Sequence, residues 1–192
     1  DSIVLGEGEE EVIDAIDDFQ NSGLKSRYEQ SESIDINKYP FSLRKYLPKS
    51  SVARKNMMTL KSKPENAEIF GTTVLFSRGC PYSCSFCAMP SMKKFDRGTR
   101  YRTPELIRNE IEYLQREYGI VGINLLDEIG IPPSKAKAIP YLEAIASTGI
   151  MWRGQTRVDT MTSELAKLAR ESGCVALGLG VESASQTCLN AI

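Results

Sequence analysis

Beyond Thr72, short apolar runs alternate with stretches whose apolar positions recur every three or four residues. The runs TTVLFS (72–77), VGINLLDE (121–128), MWRGQTRVD (151–159) and VALGLGVE (175–182) read as strands. Between them, Pro104 just after Thr103 suits a helix start, and Leu106, Ile107, Ile111 and Leu114 continue that helix to about Glu117. A second helix is predicted over 133–147, behind the Pro132–Pro133 break. Thr162 caps a third that carries Leu165, Leu168 and Ala169, and Ser185 begins another. Alternation with short connections argues for α/β architecture, a parallel sheet covered by helices. Such sheets place their chemistry at the carboxyl ends of the strands. That rule selects the loops after Ser77, Leu126, Arg157 and Val181.

The amino-terminal third is patterned differently. Residues 2–19 read as a short apolar strand, a glycine turn and a helix with Val12, Ile13, Ile16 and Phe19 on one face. Glu7, Glu9 and Glu10 are expected near that helix's positive end. Residues 21–70, with Pro40, Pro48 and Pro64 and many Ser, Asn and Lys, read as a connector running over the surface.

Composition adds exclusions. The 192 residues are 41% hydrophobic and 26% charged, with formal net charge −1, an ordinary globular balance. Near-neutrality gives no electrostatic case for binding nucleic acid or membranes. No apolar run approaches the roughly 20 residues that span a bilayer, and no charged-then-apolar leader opens the chain. Five cysteines, an odd number, do not make a disulfide framework, so a reducing, cytoplasmic setting is expected.

Three of those cysteines fall in SRGCPYSCSFCAMP (77–90), where Cys80, Cys84 and Cys87 are spaced C-x3-C-x2-C after the first strand of the regular region. Structural zinc wants four protein ligands, usually from two knuckles. Here there is one group of three and no histidine; Cys174 and Cys188 lie on or after later strands. A [4Fe–4S] cluster on three thiolates leaves one iron open for a substrate or cofactor. Spacing favours iron–sulfur, with zinc and chance clustering still open. Cys174 and Cys188 read as small buried apolar residues, and Trp152 as core or pocket wall.

CPYSCSFC resembles the signature of the radical S-adenosylmethionine (radical SAM) enzymes, C-x3-C-x-aromatic-C, with Phe86 in the aromatic place. The resemblance covers about residues 72–192. It implies that Cys80, Cys84 and Cys87 hold three irons and that SAM chelates the fourth through its amino and carboxylate groups. Reductive cleavage then yields methionine and a 5′-deoxyadenosyl radical that abstracts hydrogen. The implied fold is a six-unit partial (β/α) barrel, here ending after about four units.

Further positions follow from the same resemblance. Where the family has a Gly-Gly-Glu-like turn, this chain has LLDEIG, so Asp127 or Glu128 would accept the SAM ammonium; an N-cap pair is the alternative. Arg157 in QTRVD would meet the SAM carboxylate, with a salt bridge to Asp159 as the plainer reading. Glu182 and Ser183, ending GLGVES, would approach the ribose hydroxyls, because a charge closing a buried strand needs a partner.

DSIVLGEGEEEVIDAI is similar to the last strand and turn of the Rossmann-like cobalamin-binding domain preceding the barrel in one large radical SAM subclass, and DINKYPFSLRKYLP to its connector. The implied organisation is a domain remnant over 1–20, a linker over 21–70 and an incomplete radical SAM core over 71–192. Gly6, Glu7 and Gly8 would then lie near the corrinoid. The expected function is cobalamin-dependent methylation of a small-molecule or peptide substrate, with a [4Fe–4S] cluster, SAM and an electron donor such as flavodoxin or ferredoxin. A methylthiotransferase, and a non-catalytic zinc or iron–sulfur module, are the alternatives.

Overall fold

The computed structural model describes residues 1–58, 64–89 and 98–192. Residues 59–63 of the expected connector lie outside the described residues. Four strands, β3 (Gly71–Val74), β6 (Gly122–Leu125), β7 (Met151–Arg157) and β8 (Cys174–Gly180), form one parallel sheet in that order. Consecutive strands are neighbours, so the sheet winds one way, as in a barrel wall, without a reversal of order. Helices α3 (Pro104–Tyr118), α4 (Lys135–Ala146) and α5 (Ser163–Glu171) connect them.

The helices form where the apolar spacing predicts. The Thr103 hydroxyl accepts the Leu106 N–H at 3.3 Å and Thr162 accepts that of Leu165 at 3.2 Å, each satisfying an orphan donor of the first turn. Helix α3 ends at Gly119, whose φ of +67° suits a left-handed cap. Ile107, Ile111 and Leu114 are fully buried on its inner face, against Ile123, Leu125, Leu142, Ile145 and Trp152 of the same core. Along β7 the alternation is explicit: Trp152 and Thr156 face the core, while Arg153 and Gln155 line a cavity of about 430 Å³ on the sheet's open face. Trp152 is core, and its indole N–H donates to Ser172.

Two strands stop earlier than their hydrophobicity predicts. TTVLFS leaves the sheet after Val74, and Ser77–Arg78 becomes β4, antiparallel to β5 (Arg100–Tyr101). VGINLLDE stops at Leu125. Just beyond both strand ends, the Asp127 carboxylate takes the Phe76 N–H.

At the amino end, β1 (Ile3–Leu5) pairs in parallel with β2 (Arg27–Glu29) across α1 (Glu11–Asn21). The connector, which carries the short helix α2 (Lys49–Val52), packs more than its polarity suggests. Tyr28, Ile34, Ile36, Val52, Ala53, Met58 and Ile69 are buried, and Arg44 reaches the Thr72 hydroxyl and the Thr73 carbonyl. It is a strap on the sheet rather than a surface linker. Among the described residues, no helix is long and apolar enough to cross a membrane.

Candidate functional site

The cysteine loop leaves β4 and returns through β5, so those two-residue strands form its neck. On the inner side, Asp127 is fully buried. Its carboxylate accepts the Ser77 hydroxyl at 2.5 Å and the Phe76 N–H at 3.2 Å. Burial pushes this carboxyl up to about 6, although those donors pull the other way. The Tyr101 and Tyr141 phenols are raised in turn by burial and by the Asp127 charge.

Within the loop, the Cys87 N–H donates to the Cys84 carbonyl at 3.1 Å, and the Met89 N–H to the Cys87 sulfur at 3.4 Å. Arg157, at the end of β7, donates from Nη1 to the Cys84 sulfur at 3.1 Å. Its other nitrogens pair with Asp159 at 2.9 and 2.5 Å, and its plane lies 4.0 Å over the Tyr82 ring. The Cys80 thiol is raised by burial and by the charges of Cys84, Cys87 and Glu128, and lowered by a Tyr82 backbone bond. Cys84 and Cys87 therefore both lie within electrostatic reach of Cys80. Among the described residues, no three Cys, Asp or Glu side chains converge closely enough to hold one metal ion.

Beside this loop, at the carboxyl ends of β7 and β8, is a cavity of about 310 Å³ walled by Cys84, Arg157, Asp159, Gly180, Glu182 and Leu189, among others. Cys84, Arg157 and Glu182, predicted from three separate segments, thus face one space. Glu182 takes a left-handed φ of +64°, which costs a residue with a Cβ energy.

The acidic pair at 127–128 is divided. The Asp127 carboxylate is buried and engaged at the neck by the Phe76 N–H and the Ser77 hydroxyl. Glu128 keeps one buried carboxylate oxygen with no hydrogen-bond partner among the described residues, and its charge reaches Cys80. Buried acceptors of this kind are rare and call for a donor.

Phe86 stands 59% exposed. The Ser183 hydroxyl accepts the Ser185 N–H at 3.0 Å at the turn into α6 (Gln186–Leu189). One further expectation is corrected. Cys188 is exposed, because α6 is short and covers nothing there, whereas Cys174 is buried as expected. The salt bridge between Arg157 and Asp159 is present. Sequence reasoning missed Tyr82, whose place under Arg157 no spacing signals. It also missed Arg78 and Arg100, which flank the loop on its outer side.

Comparison with known proteins gives a consistent picture. The family model described as the radical SAM superfamily matches residues 74–192. An uncharacterized methyltransferase of Pyrococcus horikoshii is 30% identical over 198 residues, covering 100% of this chain and 42% of its own length. The anaerobic magnesium-protoporphyrin IX monomethyl ester cyclase of Cereibacter sphaeroides is 37% identical over 116 residues, 57% of this chain and 18% of its own length. The chain thus spans less than half the length of either relative. Among solved structures, the cobalamin-dependent SAM radical enzyme OxsB, with aqua-cobalamin and SAM bound, shares the fold over 96% of this chain and 28% of its own, with a TM-score of 0.66 at 18% identity.

Proposed function

The chain belongs to the radical SAM superfamily, and on that premise we propose that it is the catalytic core of a cobalamin-assisted methyltransferase. The observation that carries this reading is the single cavity onto which Cys84, Arg157 and Glu182 open, beside a loop of three thiols. The donor set fits a [4Fe–4S] cluster: three cysteines with no histidine, two of their sulfurs already accepting N–H bonds, and a buried carboxylate oxygen awaiting a cationic donor. When bound, such a cluster, open at one iron, supplies the electron that splits SAM and starts radical chemistry.

Cys80, Cys84 and Cys87 hold the cluster in this reading. Glu128 accepts the SAM ammonium, since one of its oxygens is buried without a donor and its charge is felt at Cys80. Arg157 is the cavity's cation and takes the SAM carboxylate in exchange for part of its pairing with Asp159. Glu182 accepts from the ribose hydroxyls at the far wall. The open-face cavity lined by Asn124, Arg153 and Gln155 takes a small molecule or peptide. Flavodoxin or ferredoxin supplies electrons, and the reducing cytoplasm keeps the thiols available. The methyltransferase assignment and cobalamin as methyl carrier draw support from the named relatives, and the unit around β1 and α1 is the border of the cobalamin domain.

Anaerobic reconstitution with iron and sulfide tests the reading. A brown protein that cleaves SAM on reduction, with both properties lost in Cys84→Ala, is the expected result. A colourless protein that holds one zinc and leaves SAM intact would sink it.

A further inference from the structure

The Gly6-Glu7-Gly8 turn singled out in the sequence does something other than crown a helix. Glu7 crosses to the outer side of the cysteine-loop neck, where its two carboxylate oxygens receive Arg100 Nη1 and Nη2 at 2.6 and 2.7 Å. Arg78 approaches the same carboxylate at 3.4 Å and meets Glu9 at 2.5 Å. Arg78 and Arg100 are directly opposite one another in the β4–β5 pair. Like charges so placed repel, and an antiparallel pair two residues long has little stability of its own. Without an anion between them, the two arginines would open the neck.

The turn that delivers Glu7 is built rather than loose. The Glu7 N–H donates to the Gln30 side chain at 2.8 Å, and Gln30 is itself buried and tied to the Leu5 and Glu32 carbonyls. Gly6 has φ +112°, and a Cβ there would stand 2.3 Å from the Gln30 oxygen. Only glycine allows both the conformation and the approach. Arg100 Nη1 also donates to the Ile34 carbonyl at 2.6 Å, so one arginine gathers the amino-terminal unit, the connector and the neck.

We infer that Glu7 is a positioning residue for the cysteine loop: bridging Arg78 and Arg100, it closes the neck from which Cys80, Cys84 and Cys87 are presented. Its consequence for iron rests on the reading of those cysteines as cluster ligands, while the closure itself does not. The amino-terminal unit thereby becomes part of the cluster-binding apparatus, and any movement of it is felt at the thiols.

The test uses the full-length protein with Glu7→Gln, Gly6→Ala, the exchange Glu7→Arg with Arg100→Glu, and Asp18→Asn as a control that removes an ion pair on the other side of the same unit. Hydrogen exchange is followed at Arg78 to Cys80 and Thr99 to Tyr101 before reconstitution, and iron content and the electron paramagnetic resonance signal of the reduced cluster afterwards. Glu7→Gln and Gly6→Ala should each speed exchange at the neck about tenfold and lower iron content, with the charge exchange restoring part of both and Asp18→Asn changing neither. Neck exchange unchanged by Glu7→Gln would overturn the inference, as would a charge exchange no better than the single change. If the parent binds no iron yet neck exchange still responds to Glu7, the clamp stands and the cluster reading falls.

Discussion

Two carboxylates hold the neck of the cysteine loop from opposite sides, by opposite physics. Asp127 works from within, fully buried, against a backbone N–H and a hydroxyl. Glu7 works from outside, half-shielded, against two guanidinium groups. Burial raises the Asp127 carboxyl to about 6. Burial also pushes Glu7 up, but Arg100 and Arg78 overcome it and hold that carboxyl below its usual value. A buried acceptor fixes geometry because its donors have nowhere else to go. An ion pair at a surface holds two mobile parts together and lets go when either is neutralised.

The strongest way to break the comparison is Asp127→Ala. It strands the Phe76 N–H and the Ser77 hydroxyl in a dry site, and should cost about 3 kcal/mol of stability, measured by denaturant unfolding. Glu7→Gln keeps the shape and removes the charge; about 1 kcal/mol is expected, reduced further in high salt. Cys84→Ala is expected to leave unfolding within about 0.5 kcal/mol of the parent while abolishing iron binding, because the thiol decides what the loop holds and not how it is closed.

Protonation sharpens the contrast without altering any shape. The Asp127 carboxyl is raised in the fold, so its contribution is fully present below about pH 4, its unfolded value, and is lost as pH rises through about 6. Glu7 is lowered, so its contribution is present above about 4.5 and is lost as pH falls through its folded value. Asp127→Asn should therefore gain on the parent as pH rises from 4 to 7, whereas Glu7→Gln should lose ground over the acid end of that range. Glu110, raised by burial to about 7 beside Arg44, titrates nearby. It also feels the Asp127 charge, so the comparison is made in a Glu110→Gln background, where the difference between the unfolding curves isolates each carboxylate.

Much of the sheet was legible because its signal is local. Ile107, Ile111 and Leu114 recur at helical spacing and are all buried. The same pattern in Val12, Ile13, Ile16 and Phe19 predicts α1 equally well, yet Phe19 is 71% exposed there. Periodicity forms a face but does not name what covers it. At the site, three-cysteine spacing picked out the loop, and the family resemblance picked out Arg157 and Glu182, which line the cavity beside it. Nothing in LLDEIG distinguishes Asp127 from Glu128, because only the third dimension brings Phe76 and Ser77 to one of them.

The sequence by itself determined the helices, the strand order's parallel character and the chemistry of the loop, since these depend on residues near one another in the chain. Tertiary structure alone decided which carboxylates do what. Asp127 meets its partners some 50 residues away, and Glu7 meets Arg100 across 93. A charge is assigned its role by the burial and the donors around it, and neither is written in its neighbours along the chain.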